Sequence, residues 1–131
     1  MILYQNALIK LDYNPATDIL LVDMPSVTYG VVPEFRRALD IIVENVRSYD
    51  VKKLLVDARK SVIEMDPEEY SEVVKKFASD LKATRLVKGA RVISPNADRE
   101  KLVKQVVGTT DPGFLFHTFT DITEAENWLN S

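Results

Sequence analysis

The chain has one histidine, His117, and no cysteine. That removes disulfides, thiolate metal sites, cysteine nucleophiles and any metal site built on a pair of histidines. His117 sits in Leu115-Phe116-His117-Thr118. A lone histidine on one face of a strand reads as a structural or surface residue. A Ser-His-acid triad needs a strained turn such as Gly-x-Ser-x-Gly, and none is present. The four glycines, Gly30, Gly89, Gly108 and Gly113, form neither a Gly-x-Gly-x-x-Gly fingerprint nor a phosphate loop. Hydrolytic, nucleotide-dependent and metal chemistry therefore find no support. The chain reads as non-enzymatic, with no cofactor.

What remains are polar groups at strand ends. Asp57-Ala58-Arg59-Lys60-Ser61 and Ser94-Pro95-Asn96 each follow an apolar run. In open α/β sheets the useful crevice lies outside the carboxyl ends of the parallel strands. Asp57 with Ser94 is similar to the phosphoacceptor arrangement of a receiver domain. That chemistry needs a lysine after the last strand, and no lysine lies beyond Lys104. The candidate binding residues are Asp57, Arg59, Lys60, Ser61, Ser94 and Asn96, suited to a carboxylate, a phosphate headgroup or an acidic partner side chain. The plainer alternative is that Arg59 pairs with Asp57 and Asn96 caps a helix.

The elements that would position these groups follow from periodicity. Ala7, Ile9, Leu11 and Tyr13 alternate with Leu8, Lys10 and Asp12, a half-buried strand. Asn14-Pro15 marks a turn, and Ile19-Leu20-Leu21-Val22 reads as a second strand, so the chain is expected to open with a β-hairpin. Phe35, Ala38, Leu39, Ile42, Val43 and Val46 fall at helical spacing after Pro33. Leu54-Leu55-Val56 is a central strand. Asp66-Pro67-Glu68-Glu69 starts the next helix, whose buried stripe is Tyr70, Val73, Val74, Phe77, Ala78 and Leu81. Ala90-Arg91-Val92-Ile93 is another strand, and Asn96 opens a helix ending at Gly108. A last strand covers 114–119. A helix follows in which Asp121 and Glu124 form a capping box and Trp128 is the expected packing anchor.

The order β-β-α-β-α-β-α-β-α predicts one α/β domain over 1–131, with a mixed, mostly parallel sheet. Its 131 residues suit one domain, and 46% hydrophobic against 28% charged residues exclude a disordered chain. The strands at 54–57, 90–94 and 114–119 are expected to run parallel. No apolar run reaches the roughly 18 residues of a membrane span, so an integral membrane protein is not expected. The beginning of the chain lacks a basic stretch before an apolar core, so a cytoplasmic location is the expectation. A net charge of −3 argues against nucleic acid as a partner.

Four stretches carry a family resemblance: Pro33-Glu34-Phe35, Lys53-Leu54-Leu55-Val56-Asp57, Arg91-Val92-Ile93, and the ending from Phe119-Thr120-Asp121-Ile122 to Trp128-Leu129. With the hairpin start, they make the chain resemble the STAS fold of SpoIIAA-type anti-sigma-factor antagonists. The closer resemblance is to the bacterial SpoIIAA-like branch grouped with lipid-binding CRAL-TRIO domains. It implies a STAS-like domain and a loose class rather than an activity. SpoIIAA-type antagonists carry a phosphorylatable serine where the helix after the third strand begins. This chain has Glu64-Met65-Asp66-Pro67-Glu68 there, with no hydroxyl. Asp66 as a phosphoserine mimic and Asp66 as a helix cap are both open, the cap being simpler.

Charge is unevenly placed. Residues 82–104 hold seven bases, among them Lys82, Arg85, Lys88 and Arg91, against two acids, while 61–72 holds five acids and no base. This predicts either solvated helix faces or a basic patch that meets an acidic partner or an anionic headgroup. Two functions are therefore expected. The first is a regulatory or protein-interaction module without the phosphoserine switch, its protein partner unnamed and a homodimer among its assemblies. The second is a binding protein for a small apolar or amphipathic ligand.

Overall fold

The computed structural model describes residues 1–24, 26, 29–93 and 113–131. Six strands form one sheet in the order β1-β2-β3-β4-β5-β6. The strands are β1 (Ile2–Gln5), β2 (Lys10–Asn14), β3 (Ile19–Asp23), β4 (Lys53–Asp57), β5 (Lys88–Val92) and β6 (Leu115–Phe119). The described helices are α1 (Val32–Ser48), α2 (Pro67–Lys82) and α3 (Ile122–Leu129). β1 to β3 are antiparallel, and β3 to β6 are parallel neighbours. The parallel relation expected for the three later strands is present, although β5 begins and ends two residues earlier than the sequence pattern suggested. The helix expected after Asn96 lies outside the described residues.

The opening differs from expectation. It is a three-stranded meander rather than a hairpin, because Ile2–Gln5 contributes a strand of its own. Asn6 is the reason the chain turns there: its side-chain oxygen accepts the N–H groups of Leu8 (2.8 Å) and Ile9 (2.9 Å). This local hydrogen bonding breaks the extended run that alternation alone would carry back to Ala7. The alternation itself is correct, since Ile9 and Leu11 are buried. The turn into β3 also follows the sequence, with the Asn14 side chain accepting the Ala16 N–H at 3.0 Å.

Strand alternation divides the sheet into two faces. Leu11, Leu20, Val22, Leu54 and Val56 face α1 and α2, packing on Phe35, Leu39, Ile42 and Val46 of α1 and Tyr70, Val73 and Leu81 of α2. Ile19, Leu55, Ala90 and Val92 face the other way and receive Ala125 and Leu129 of α3. Helix α1 ends in a Schellman arrangement. Asp50 adopts φ 54°, its N–H donates to the Arg47 carbonyl, and the Val51 N–H donates to the Val46 carbonyl. Val46 and Val51 are both fully buried, so the stop is fixed by packing as well as by hydrogen bonds.

Both acidic helix starts need correction. Asp66 occupies the N-cap of α2 with extended backbone and Pro67 behind it, yet its side chain makes no capping hydrogen bond. At α3, Asp121 accepts the Thr123 N–H at 2.8 Å, so the cap bond falls on the second helical residue rather than on that of Glu124. Trp128 is half-buried, whereas Ala125 and Leu129 are fully buried. The tryptophan ring lies over β6, stacked on His117 with centroids 4.5 Å apart and planes 12° apart. The anchor of α3 is therefore Leu129. Among the described residues no helix is long and apolar enough to cross a membrane.

Candidate functional site

β4 and β5 deliver their carboxyl ends side by side, with the Ala58 N–H donating to the Val92 carbonyl at 2.8 Å. At the end of β4, Asp57 is closed on Arg59. One carboxylate oxygen accepts from the Arg59 Nε at 2.9 Å and from its backbone N–H at 3.2 Å, and the other accepts from Nη2 at 2.8 Å. The side-chain hydrogen bonds from Arg59 hold the Asp57 carboxyl below its ordinary value. Because the folded value lies below the unfolded one, this pair stabilises the fold fully above about pH 4. The stabilisation is lost as pH falls through the depressed value. Asp57→Asn should therefore flatten the acid limb of a stability-against-pH profile measured by urea melts. An acid limb identical to that of the unaltered chain would show that the pair contributes nothing.

Arg59 and Lys60 point to solvent, so neither reaches the interior. Ser61 turns inward and is 7% exposed. Its N–H donates to the Ala58 carbonyl, and the next residue, Val62, donates its N–H to the Ser26 hydroxyl at 2.9 Å, tying this loop to the connection after β3. Of the six residues singled out from sequence, Asp57 and Arg59 form a self-contained ion pair and Lys60 is surface. Ser94 and Asn96 lie outside the described residues. Among the described ones, Ser61 lines a cavity.

That cavity, about 90 Å³, lies between the sheet and helices α1 and α2. Helix α1 contributes Phe35 and Leu39; α2 contributes Tyr70, Val73, Val74, Phe77 and Leu81. The sheet supplies Leu54 and Val56 from β4, Gly89 and Arg91 from β5, and Phe116 from β6. Gly89 makes room for the aromatic side. A Cβ there would stand 3.0 Å from the Phe114 ring and 3.5 Å from the Phe116 ring. The wall is almost wholly apolar; Ser61, Tyr70 and Arg91 border it but turn almost no polar surface toward it. A space of this size admits several heavy atoms, since one water needs only about 10–15 Å³ on the same kind of measure.

Sequence reasoning missed Arg91 as a site residue by counting it in a basic patch. No single patch forms among the described bases. Lys88 and Arg91 are three apart on one strand and so face opposite sides. Lys88 caps the end of α3, its ammonium donating to the Trp128 carbonyl at 3.2 Å and the Ser131 carbonyl oxygen at 2.8 Å. Arg85 is exposed near Asp50. Arg91 is 8% exposed, inside the cavity wall. A signal was present: Gly89 and Arg91 share a face of a central strand that a helix must cover, and a cation there is unusual.

A wider cleft of about 360 Å³ opens on the other face, between the meander and α3, bordered by Asp12, Asn14, Glu126 and Asn130. Several polar groups there already serve the fold. The Met1 amino group reaches Asp12 at 3.0 Å, and Lys53 donates to the Thr17 carbonyl at 3.0 Å. Comparison with protein-family models, curated proteins and solved structures gives no match to this chain.

Proposed function

We propose that the chain is a binding module for a small apolar or amphipathic molecule, held between the sheet and helices α1 and α2. The observation that carries this reading is the cavity itself: an apolar space walled by aromatic and aliphatic side chains of the sheet and two helices. The SpoIIAA-like, STAS-type reading of the fold goes with it. Its support is the alternation of strand and helix from β3 to β5 and the closing helix α3 after β6. Strand β1 is an addition to the order that resemblance implies.

Native mass spectrometry of freshly purified protein, with titration of octanoate and 1-octanol by calorimetry, tests the ligand reading. A co-purified small molecule, or saturable binding of either amphiphile, is the expected result. Val74→Phe should lower that binding by about tenfold or more, since the ring fills the space without disturbing the deepest packing. An empty chain that binds neither amphiphile would overturn the reading. So would a Val74→Phe variant that binds as tightly as the unaltered chain.

A second reading, a regulatory or protein-interaction module without a phosphoserine switch, draws on the loop after β4. It exposes Lys60 and the apolar Val62 (56% exposed) beside the Asp57–Arg59 pair, an apolar contact rimmed by charge.

A further inference from the structure

We infer that two copies of this chain pair along β6, antiparallel and about a two-fold axis at His117, so that their sheets continue into one another. The order of the sheet leaves β1 and β6 as its edges. An open edge presents a row of unpaired N–H and C=O groups, which proteins usually blunt with lysine, proline or a break in register. At β1 the register with β2 is broken between Ile2 and Tyr4. β6 has none of these devices. It reads Leu115-Phe116-His117-Thr118-Phe119, without a lysine, an acid, a proline or a glycine, and keeps an unbroken register with β5. Leu115, at its start, is 59% exposed.

The backbone fixes the register. The Leu115 N–H donates to the Val87 carbonyl at 3.0 Å, and the Phe119 carbonyl accepts the Ile93 N–H at 2.9 Å. Successive residues of a strand direct these groups to opposite sides. Leu115, His117 and Phe119 are therefore engaged with β5, while Phe116 and Thr118 point their N–H and C=O groups outward. Among the described residues nothing pairs with those outward groups. An axis at His117 sets Phe116 of each copy opposite Thr118 of the other, and each pair exchanges hydrogen bonds in both directions. An axis at Phe116 or at Thr118 would carry half of the pairing beyond the strand.

The side chains favour a second copy over a foreign strand. Leu115 of one copy meets Phe119 of the other in a non-hydrogen-bonded pair, where side chains stand closest, and the exposed leucine is covered. Antiparallel pairing also sets the two ends of β6 against each other. The Lys82 stem lies against Gly113 just before the strand, and Asp121 follows its end. A base of each copy thus comes toward an acid of the other, and no like charges are opposed along the strand itself.

Sedimentation equilibrium from about 1 μM to about 1 mM tests the association, the span in which a small interface passes from monomer to dimer. The expected result is a rise from the monomer's 14.9 kDa toward twice that mass. Leu115→Lys places a charge at an exposed position against Phe119 of the other copy. Thr118→Pro removes an outward N–H and leaves the ladder to β5 intact. Each should weaken the dimer about tenfold or more. Leu115→Lys decides the matter if Thr118→Pro fails to fold. His117→Cys reads the register, in a chain with no other cysteine. Its two α-carbons would stand about 4.5 Å apart across the axis, within disulfide reach, so mild oxidation should give a covalent dimer. Leu115→Cys, held away from its own copy, should not cross-link. A chain that stays monomeric at about 1 mM, leaving the edge to a strand of another protein, overturns the inference. So does a dimer unmoved by both Leu115→Lys and Thr118→Pro, or a folded His117→Cys dimer that fails to cross-link. The ligand-binding reading stands or falls separately, on the amphiphile titrations.

Discussion

Leu129→Ala is expected to cost about 3–4 kcal/mol, whereas Trp128→Ala costs about 1–2 kcal/mol, the middle and below the lower edge of the range for large core truncations. Helix α3 has eight residues, too short to persist without tertiary contacts. Its docking rests on Ala125 and Leu129, both completely buried against Ile19, Leu55, Ala90 and Val92. Removing the Leu129 side chain leaves a hole that β4 and β5 cannot close, because neighbouring strands pin them on both sides. Trp128 is larger but half-buried, its ring stacked on His117 and tilted against Phe119. Lys88 contributes a cation–π contact 5.2 Å from the ring centroid, a small term at a surface position. Urea melts of the two variants check the order. A Trp128→Ala loss equal to or above that of Leu129→Ala would show that the helix is anchored by its aromatic ring instead.

Gly89→Val should abolish amphiphile binding and destabilise the fold by about 1–3 kcal/mol, the ordinary cost of overpacking. The site is tight before any methyl is added, since even a Cβ would come to 3.0 Å from the Phe114 ring. The ring edge can swing by a few tenths of an ångström for alanine. Valine adds two further carbons beside the Phe114 and Phe116 rings, which line the cavity with Gly89. Calorimetry with octanoate reads the first effect and urea melts the second. Full octanoate affinity in a folded Gly89→Val protein would place the binding space away from β5.

How much of this was legible beforehand depends on the range of the forces involved. Helices α1 and α2, strands β3 and β4, and the turn at Asn14 rest on local periodicity and side-chain-to-backbone hydrogen bonds within a few residues, and the linear pattern carries them. The alternation through Ile9 and Leu11 was legible for the same reason. Strand β1 was not. Four residues ending at Asn6 have too short a pattern to separate strand from tail, and their pairing with β2 exists only once the chain has folded back.

The candidate site divides along the same line. The adjacency of Asp57 and Arg59 reads directly from a two-residue separation, and so does their ion pair. Ser61 could be named from its place after β4, but not its inward turn, which depends on a loop held to Ser26 across the structure. The stripe of Tyr70, Val73 and Phe77 was legible as buried. Whether it meets the sheet or stands off from it to leave a cavity depends on side-chain volumes arriving from β5, β6 and α1 at once. Arg91 shows the limit most plainly. Counting charge along the chain groups it with Lys88 and Arg85, while the pleat of β5 sends Lys88 to the end of α3 and turns Arg91 into the cavity wall. Linear order carries the charge, and the sheet decides which side of the molecule receives it.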